Sequence, residues 1–212
     1  MRTIRNAPVK NKIPVSVELA GVDDGAIWDR EIRPVELHHH PGRTSFRWRR
    51  SIRYLPLLKR LAFGPKAKTC YALSAQTSGH DEEAVLAGLV LLVEGAAFPP
   101  DKYKQCVYVW YLGSAPDAYM RSRGVELIPR AGEVLIDAAI QASITAGFEG
   151  RIYLHAARSG GQGLLDYYRG VGLSPLCCGV PIPQVRSRND GRYFVADEQT
   201  ARYIVRRNER NR

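Results

Sequence analysis

Hydrophobic positions recur along this chain at two different periods, and the changes of period mark out its elements. "PVSVELAG" (14–21) alternates apolar and polar residues, as a half-buried strand does. "KTCYALSAQT" (68–77) alternates again, "AVLAGLVLLVEG" (84–95) is apolar throughout, and "QCVYVWYLGS" (105–114) is rich in β-branched and aromatic residues. The turn-like segments "SGHDEE" and "AAFPPDKYK" separate these three runs, which predicts an antiparallel meander.

The period then becomes helical. Leu135, Ile136, Ala139, Ile140, Ser143 and Ile144 share one face of a long helix that opens near Arg130 and stops at Gly147. "GRIYLHAA" (150–157) returns to a buried strand, and "GLLDYYRGVG" (163–172) is a short helix ended by Gly170 or Gly172. "LSPLCCGVPIP" and "RYFVADEQTARYIV" are expected to be two more strands around the polar turn "RSRNDG". Toward the front, Asp23 or Asp24 caps a short helix that should end before Pro34, and Ser51–Phe63 reads as a helix interrupted near Pro56. A helix that joins one strand to a neighbour implies a parallel crossover in an otherwise antiparallel sheet. The expected fold is therefore one α/β domain over 1–212, a mixed, mostly antiparallel sheet flanked by helices.

Composition sharpens this picture in three places. The longest apolar run, Ala84–Val93, is far short of the roughly 20 residues that span a bilayer, so no membrane segment is expected. Met1–Lys12 is polar and basic, unlike a secretory leader, and the four cysteines form no C-x-x-C pair. Buried, reduced thiols in a cytoplasmic protein are the expectation. The net charge of +10 is uneven: Arg43–Lys68 holds nine basic residues and no acidic one. Such a stretch attracts polyanions or anionic ligands. His38, His39 and His40 with Glu36 suggest a metal set, but consecutive side chains diverge, so no metal is expected and a solvated loop is.

From Val107 to Leu173 the segments resemble the core of the GNAT acetyltransferase superfamily. "VYVWYL" is similar to its fourth strand and "PRAGEVLIDAAIQASITAGF" to its cofactor helix. "GRIYLHAA" is similar to the fifth strand, and "LLDYYRGVGL" to the A-I-x-[LF]-Y-x-x-x-G-F pattern. The family loop [QR]-x-x-G-x-[GA] falls on Leu127, Ile128, Pro129, Arg130, Ala131 and Gly132, and only the last glycine is kept. Gly161 stands where the family often has asparagine.

The resemblance implies acetyl transfer from acetyl-CoA to an amine, by direct attack in a ternary complex. Backbone N–H groups of Ala131, Gly132, Glu133 and Val134, with the Arg130 guanidinium, would hold the pyrophosphate. Arg130 is not expected to take the left-handed backbone that a glycine takes there. An N–H within Tyr111–Gly113, with Leu112 the best single choice, would polarise the acetyl carbonyl. Tyr168 would protonate the leaving sulfur, with Tyr167 in the core; Glu94 or Asp117 would be the base, and His155 is a further candidate. Residues 22–65 would form the acceptor side, 68–173 the cofactor core and 174–205 the last strands. Expected partners are acetyl-CoA, an amine on a small molecule, a peptide or an RNA-linked group, a polyanion at 43–68, and a second copy of the chain. The alternative is a catalytically weak fold of the same family, used as a basic binding module for nucleic acid or a protein.

Overall fold

The computed structural model describes residues 15–39, 46–60, 68–76, 84–125, 130–177, 179–182 and 189–209. Its sheet has seven strands in the order β1-β2-β3-β4-β5-β7-β6. They are β1 (Val15–Leu19), β2 (Lys68–Gln76), β3 (Ala84–Phe98), β4 (Asp101–Ser114), β5 (Ile152–His155), β6 (Ser174–Pro175) and β7 (Tyr193–Ala196). Every neighbouring pair is antiparallel except β4 and β5, which run parallel. The expected mixed sheet is thus what the chain forms.

Residues Val85–Val93 of β3 are all buried, because both faces of this strand are covered. Two glycines identify the covers. A Cβ on Gly88 would stand 2.8 Å from the side chain of Leu135, on helix α5 (Ala131–Thr145). A Cβ on Gly113 would stand 3.0 Å from the ring of Trp28 and 3.7 Å from that of Trp48. Gly113 opposes Leu89, one residue along from Gly88, so the period of two puts these covers on opposite faces. Toward β5 and β7, Val109, Leu154 and Phe194 join the large core, while Tyr108, Tyr153 and Val195 face a smaller cluster with Leu176 and Ile182.

Trp28 belongs to a continuous helical segment: α1 (Val22–Ile27), a π-helical turn (Trp28–Ile32) and α2 (Arg33–His39). The helix expected to stop before Pro34 therefore runs through it. The widened turn lets Arg33 N–H reach the Trp28 carbonyl just ahead of the proline. Gly21, rather than an aspartate, is the N-cap, and its N–H donates to Asp24 Oδ2 at 2.7 Å. His38 lies on α2 instead of a loop, and His40 falls outside the described residues.

Helix α3 (Trp48–Arg60) likewise continues through Pro56. Asp29 caps it from the π turn, with Oδ1 accepting from Trp48 N–H at 3.0 Å and Oδ2 from Arg49 N–H at 3.2 Å. A short helix, α4 (Asp117–Ser122), follows β4, and α6 (Gly161–Val171) follows β5.

One expected strand is a helix. "RYFVADEQTARYIV" splits into β7 and α7 (Glu198–Glu209), because Asp197 caps a new helix, accepting from Thr200 N–H at 2.8 Å. Ala201 and Ile204 then point inward from α7, and Ala201 closes over Gly150. No described helix is long and apolar enough to cross a membrane. Cys70 and Cys106 are buried, and burial with the nearby Asp24 charge pushes the Cys70 thiol up to about 12. Cys177 is exposed, unlike the burial expected of it.

Candidate active site

The parallel pairing of β4 and β5 is short. Val107, Tyr108 and Val109 pair with Ile152, Tyr153 and Leu154, and then the strands part. Beyond Val109, β4 keeps β3 on one side and has no described strand on the other. Two hydrogen bonds fix which amides face the opening. Val107 N–H points to β5, donating to the Arg151 carbonyl at 3.0 Å, whereas Ala115 N–H points to β3, donating to the Ala87 carbonyl at 2.8 Å. Strict alternation cannot join these two, and the bulge between Val109 and Tyr111 reconciles them. Counting back from Ala115, the N–H groups of Ser114 and Leu112 face the opening. Tyr111 and Gly113 turn theirs toward β3. Tyr111 stacks on Phe46 with ring centroids 3.6 Å apart, and Trp110 and Tyr111 are partly exposed beside the gap.

The start of α5 is built around Arg130. Its backbone is left-handed, with φ 66° and ψ 32°, contrary to the expectation for a non-glycine residue. Its carbonyl accepts from Glu133 N–H at 2.8 Å and Val134 N–H at 3.2 Å. Those two amides are thus occupied, which corrects their reading as free phosphate donors. Ala131 and Gly132 keep N–H groups without an acceptor among the described residues. The side chain of Arg130 is 61% exposed and its Nε lies 3.6 Å from Glu133 Oε1. Glu133 turns away toward α7, where Arg207 donates to its Oε2 at 2.9 Å and to the Gly170 carbonyl at 3.2 Å. The Arg207 guanidinium thus offsets the one carboxylate of the first turn of α5. Leu127, Ile128 and Pro129 lie outside the described residues.

The two adjacent tyrosines of α6 part company. Tyr167 reaches α5: its hydroxyl would lie 2.4 Å from a Cβ on Gly132, and that oxygen is buried without a hydrogen-bond partner among the described residues. Burial, then the Glu133 carboxylate, raises its phenol above the ordinary range. Tyr168 is the more buried of the pair, 5.5 Å from the Phe194 ring, and burial pushes its phenol up to about 12. Tyr167, expected only to fill the core, is the one that stands at the helix start.

Three groups were candidates for the base. Glu94 opposes Val107, where β4 is still paired with β5, and accepts from Thr69 Oγ1 at 3.1 Å. Asp117 opens α4 beyond the end of β4; its side chain is 69% exposed and 3.8 Å from Arg121. His155 directly follows Leu154, the last residue paired with β4, and so stands where the strands diverge. Its Nε2 is 3.1 Å from both oxygens of Asp190, and its ring is 4.5 Å from Tyr193. Burial alone would raise Asp190, but the His155 hydrogen bond and charge, the Arg192 amide and Arg158 hold its carboxyl below the ordinary value. Arg192 also donates to the carbonyls of Ala156, Ala157 and Gly161, pinning the turn that leads into α6. Sequence reading missed Asp190 and Arg192. They follow His155 by more than thirty residues, in a turn whose pattern carries no period.

No family model and no curated protein matches the sequence. Solved structures do resemble the fold. One is an acetyltransferase of the GNAT family from Staphylococcus aureus Mu50, with 10% identity, TM-score 0.55, and 87% of this chain and 99% of that one covered. Another is FdhC, a nucleotide-linked sugar GNAT, with 10% identity, TM-score 0.54 and 92% and 93% covered. A third is AtaTR bound with AcCoA, with 13% identity, TM-score 0.52 and 90% and 97% covered. The chain has the GNAT acetyltransferase fold.

Proposed function

We propose that this chain is an acyl-CoA-dependent N-acetyltransferase that moves an acetyl group from acetyl-CoA to an amine by direct attack in a ternary complex. The observation that carries this reading is the divergence of β4 and β5 beyond Val109, with Leu112 N–H turned into the gap. The residues fit such a donor. Ala131 and Gly132 offer free amides at a helix start, Arg130 an exposed guanidinium, and Tyr167 a hydroxyl that lacks a partner. Acetyl-CoA, when bound, supplies the thioester carbonyl and the thiol leaving group. Leu112 N–H, between Tyr111 and Gly113, is the donor for the carbonyl oxygen, a role set by backbone position and independent of side chain.

His155 is the best-placed base. Asp190, held ionised, is acceptor-only, so it fixes the proton on Nε2 and leaves the Nδ1 lone pair to take a proton from the acceptor ammonium. Such a proton is otherwise held with a pKa of about 10. Tyr168 Oη is the donor toward the departing sulfur. Its phenol, raised to about 12, is a weaker acid than a thiol of about 8.5, so it gives a hydrogen bond and keeps its proton. Glu94 and Asp117 serve less well, the first on the paired side of the strands and the second solvated.

The test is a thermal-shift titration of the full chain with acetyl-CoA, followed by labelled acetyl transfer to a panel of amines. Stabilisation and transfer are expected. Tyr168→Phe should lower turnover roughly tenfold and leave the acetyl-CoA shift in place. No stabilisation at millimolar acetyl-CoA overturns the reading. One observation, the basic surface of α3, favours a second reading in which the fold serves as a binding module for nucleic acid or a protein. That reading requires nucleic-acid or protein binding without any response to acetyl-CoA.

A further inference from the structure

The helices of the acceptor side line an open cavity of about 480 Å³. Six arginines line it: Arg30 and Arg33 from the π turn and α2, Arg47 just before α3, and Arg49, Arg50 and Arg53 on α3. The cavity lies where the two helical segments meet most closely. A Cβ on Gly25 would stand 2.6 Å from the backbone nitrogen of Arg49, so nothing but glycine fits at that crossing.

The charge there is not cancelled from within. Asp29 is the one carboxylate in the lining, and both of its oxygens are committed to the amides of Trp48 and Arg49. Arg30 is paired with Glu31 at 2.6 Å. The other five form no ion pair among the described residues. Arg33 Nε is buried without a hydrogen-bond partner among the described residues. Like charges held around one cavity repel. Buried guanidinium nitrogen without an acceptor adds a desolvation cost. A ligand that brings several acceptor oxygens and more than one negative charge removes both costs together.

We infer that this arginine-lined cavity binds the phosphate groups of a phosphorylated acceptor. Guanidinium forks match phosphate oxygens in pairs, and five uncancelled arginines suit more than one phosphate. A cavity of 480 Å³ falls in the range of small-ligand pockets and exceeds what one isolated carboxylate would use. Tyr54 completes the rim, 44% exposed, with the Arg50 guanidinium 5.9 Å over its ring. That pair is a flat surface on which a nucleobase can stack. The acceptor is therefore a nucleotide-bearing polyphosphate or a nucleic-acid strand, two sources of the same chemistry.

The cavity also stands in register with the opening of β4 and β5. Trp48 lies between two of the arginines in sequence, and its ring reaches Gly113 and lies 6.5 Å from that of Tyr111. By helical spacing Arg50 and Arg53 lie about half a turn round α3 from Trp48, so the cavity they line is about one helix diameter, or ~10 Å, from the sheet-facing ring. An acceptor held by its phosphates in the cavity would reach its amine around α3 to the strand opening. This placement rests on the acyltransferase reading, but the phosphate site itself does not.

The experiment uses the full chain and four probes: inorganic pyrophosphate, ATP, a fluorescein-labelled 12-nucleotide single-stranded RNA and poly-glutamate. Affinities are measured at several salt concentrations, alongside acetyl-CoA binding. The variants are Arg50→Gln/Arg53→Gln, both exposed on α3, the triple variant that adds Arg33→Gln, and Arg130→Gln at the other helix start. The double variant should weaken ATP and RNA binding at least tenfold, flatten the salt dependence of RNA binding by about one to two units of slope, and leave acetyl-CoA affinity unchanged. Similar affinities for ATP and RNA assign a small phosphorylated acceptor; a gain of tenfold or more on RNA assigns a strand. Probe binding that survives the double and triple variants, or that falls only in Arg130→Gln, overturns the site. Equal binding of poly-glutamate overturns phosphate as its chemistry. Failure of the wild-type chain to bind acetyl-CoA would sink the acyltransferase reading and leave this result standing.

Discussion

The two sides of the β4–β5 opening are built on different principles. On the side proposed to hold the cofactor, from β4 through α6, the donors on offer are backbone: amides at Leu112, Ala131 and Gly132, beside a glycine that a tyrosine hydroxyl touches. On the side proposed for the acceptor, from α1 through α3, the groups on offer are side chains: two tryptophans packed on the sheet and six arginines lining a cleft. Backbone roles demand fixed spacing between strand, turn and helix. Side-chain roles demand only residue type and a shared surface. The first kind of constraint leaves a motif in the sequence, and the second leaves a charge imbalance.

The largest way to break this division is at the seam between the two sides. His155→Gln should lower turnover roughly 10²- to 10⁴-fold with acetyl-CoA binding unchanged, as removal of a general base does. Glu94→Gln and Asp117→Asn should stay within about twofold of wild type in the same assay. A large loss at Glu94 or Asp117, with His155→Gln still active, would return the base to the positions that sequence first suggested.

That contrast also explains how far the sequence could be read. The antiparallel meander followed from period, because the runs become β2, β3 and β4, and Leu135, Ile136, Ala139, Ile140 and Ser143 are buried along α5, though Ile144 is exposed. The partner of His155 did not, because Asp190 arrives through a turn and a strand of the sheet, and no local pattern links the two. The helix α7 was missed because "RYFVADEQTARYIV" is apolar at both ends, and the deciding signal is one capping residue, Asp197, in its middle. Pro34 and Pro56 were read as breaks, yet α1–α2 and α3 pass through them, held by the Gly25 crossing and the Asp29 cap. Tertiary contacts overrode local preference in both helices.

The crossing gives the next test. Gly25→Ala would drive a Cβ against the backbone of Arg49, where no side chain can move aside. It should destabilise the fold by about 1–3 kcal/mol, the range for overpacking, visible as a lower Tm by circular dichroism. The same variant should weaken RNA or ATP binding while acetyl-CoA still stabilises what remains folded. An unchanged Tm would mean that α1 and α3 are not in contact there.

A smaller effect comes from Asp190. Its carboxyl sits below the ordinary value in the folded chain, so it contributes stability above the unfolded value of about 3.9 and loses it as pH falls through the folded value. With the side chain 25% exposed, screening holds this contribution to at most ~1 kcal/mol. Asp190→Asn should lower neutral stability by up to that ~1 kcal/mol and flatten the acid limb of the stability profile below about pH 4. An acid limb identical to wild type would remove Asp190 from the pH response.

Arg130 sets stability against binding at a single residue. A left-handed conformation costs an L-residue with a side chain about 1–2 kcal/mol, and glycine adopts it without that cost. Arg130→Gly should stabilise the chain by roughly 1 kcal/mol, less the greater freedom that glycine has when unfolded. It also removes an exposed guanidinium whose contact with Glu133 is only 3.6 Å, a weak surface pair. If that guanidinium grips pyrophosphate, the variant should show a higher Tm without ligand and a smaller thermal shift with acetyl-CoA. Arg130→Lys separates the two effects, since it keeps a positive charge and the backbone strain but loses the planar fork. A rise in Tm with an undiminished acetyl-CoA shift in Arg130→Gly would show that the strained arginine serves something other than the pyrophosphate, and would leave the free amides of Ala131 and Gly132 to hold it alone.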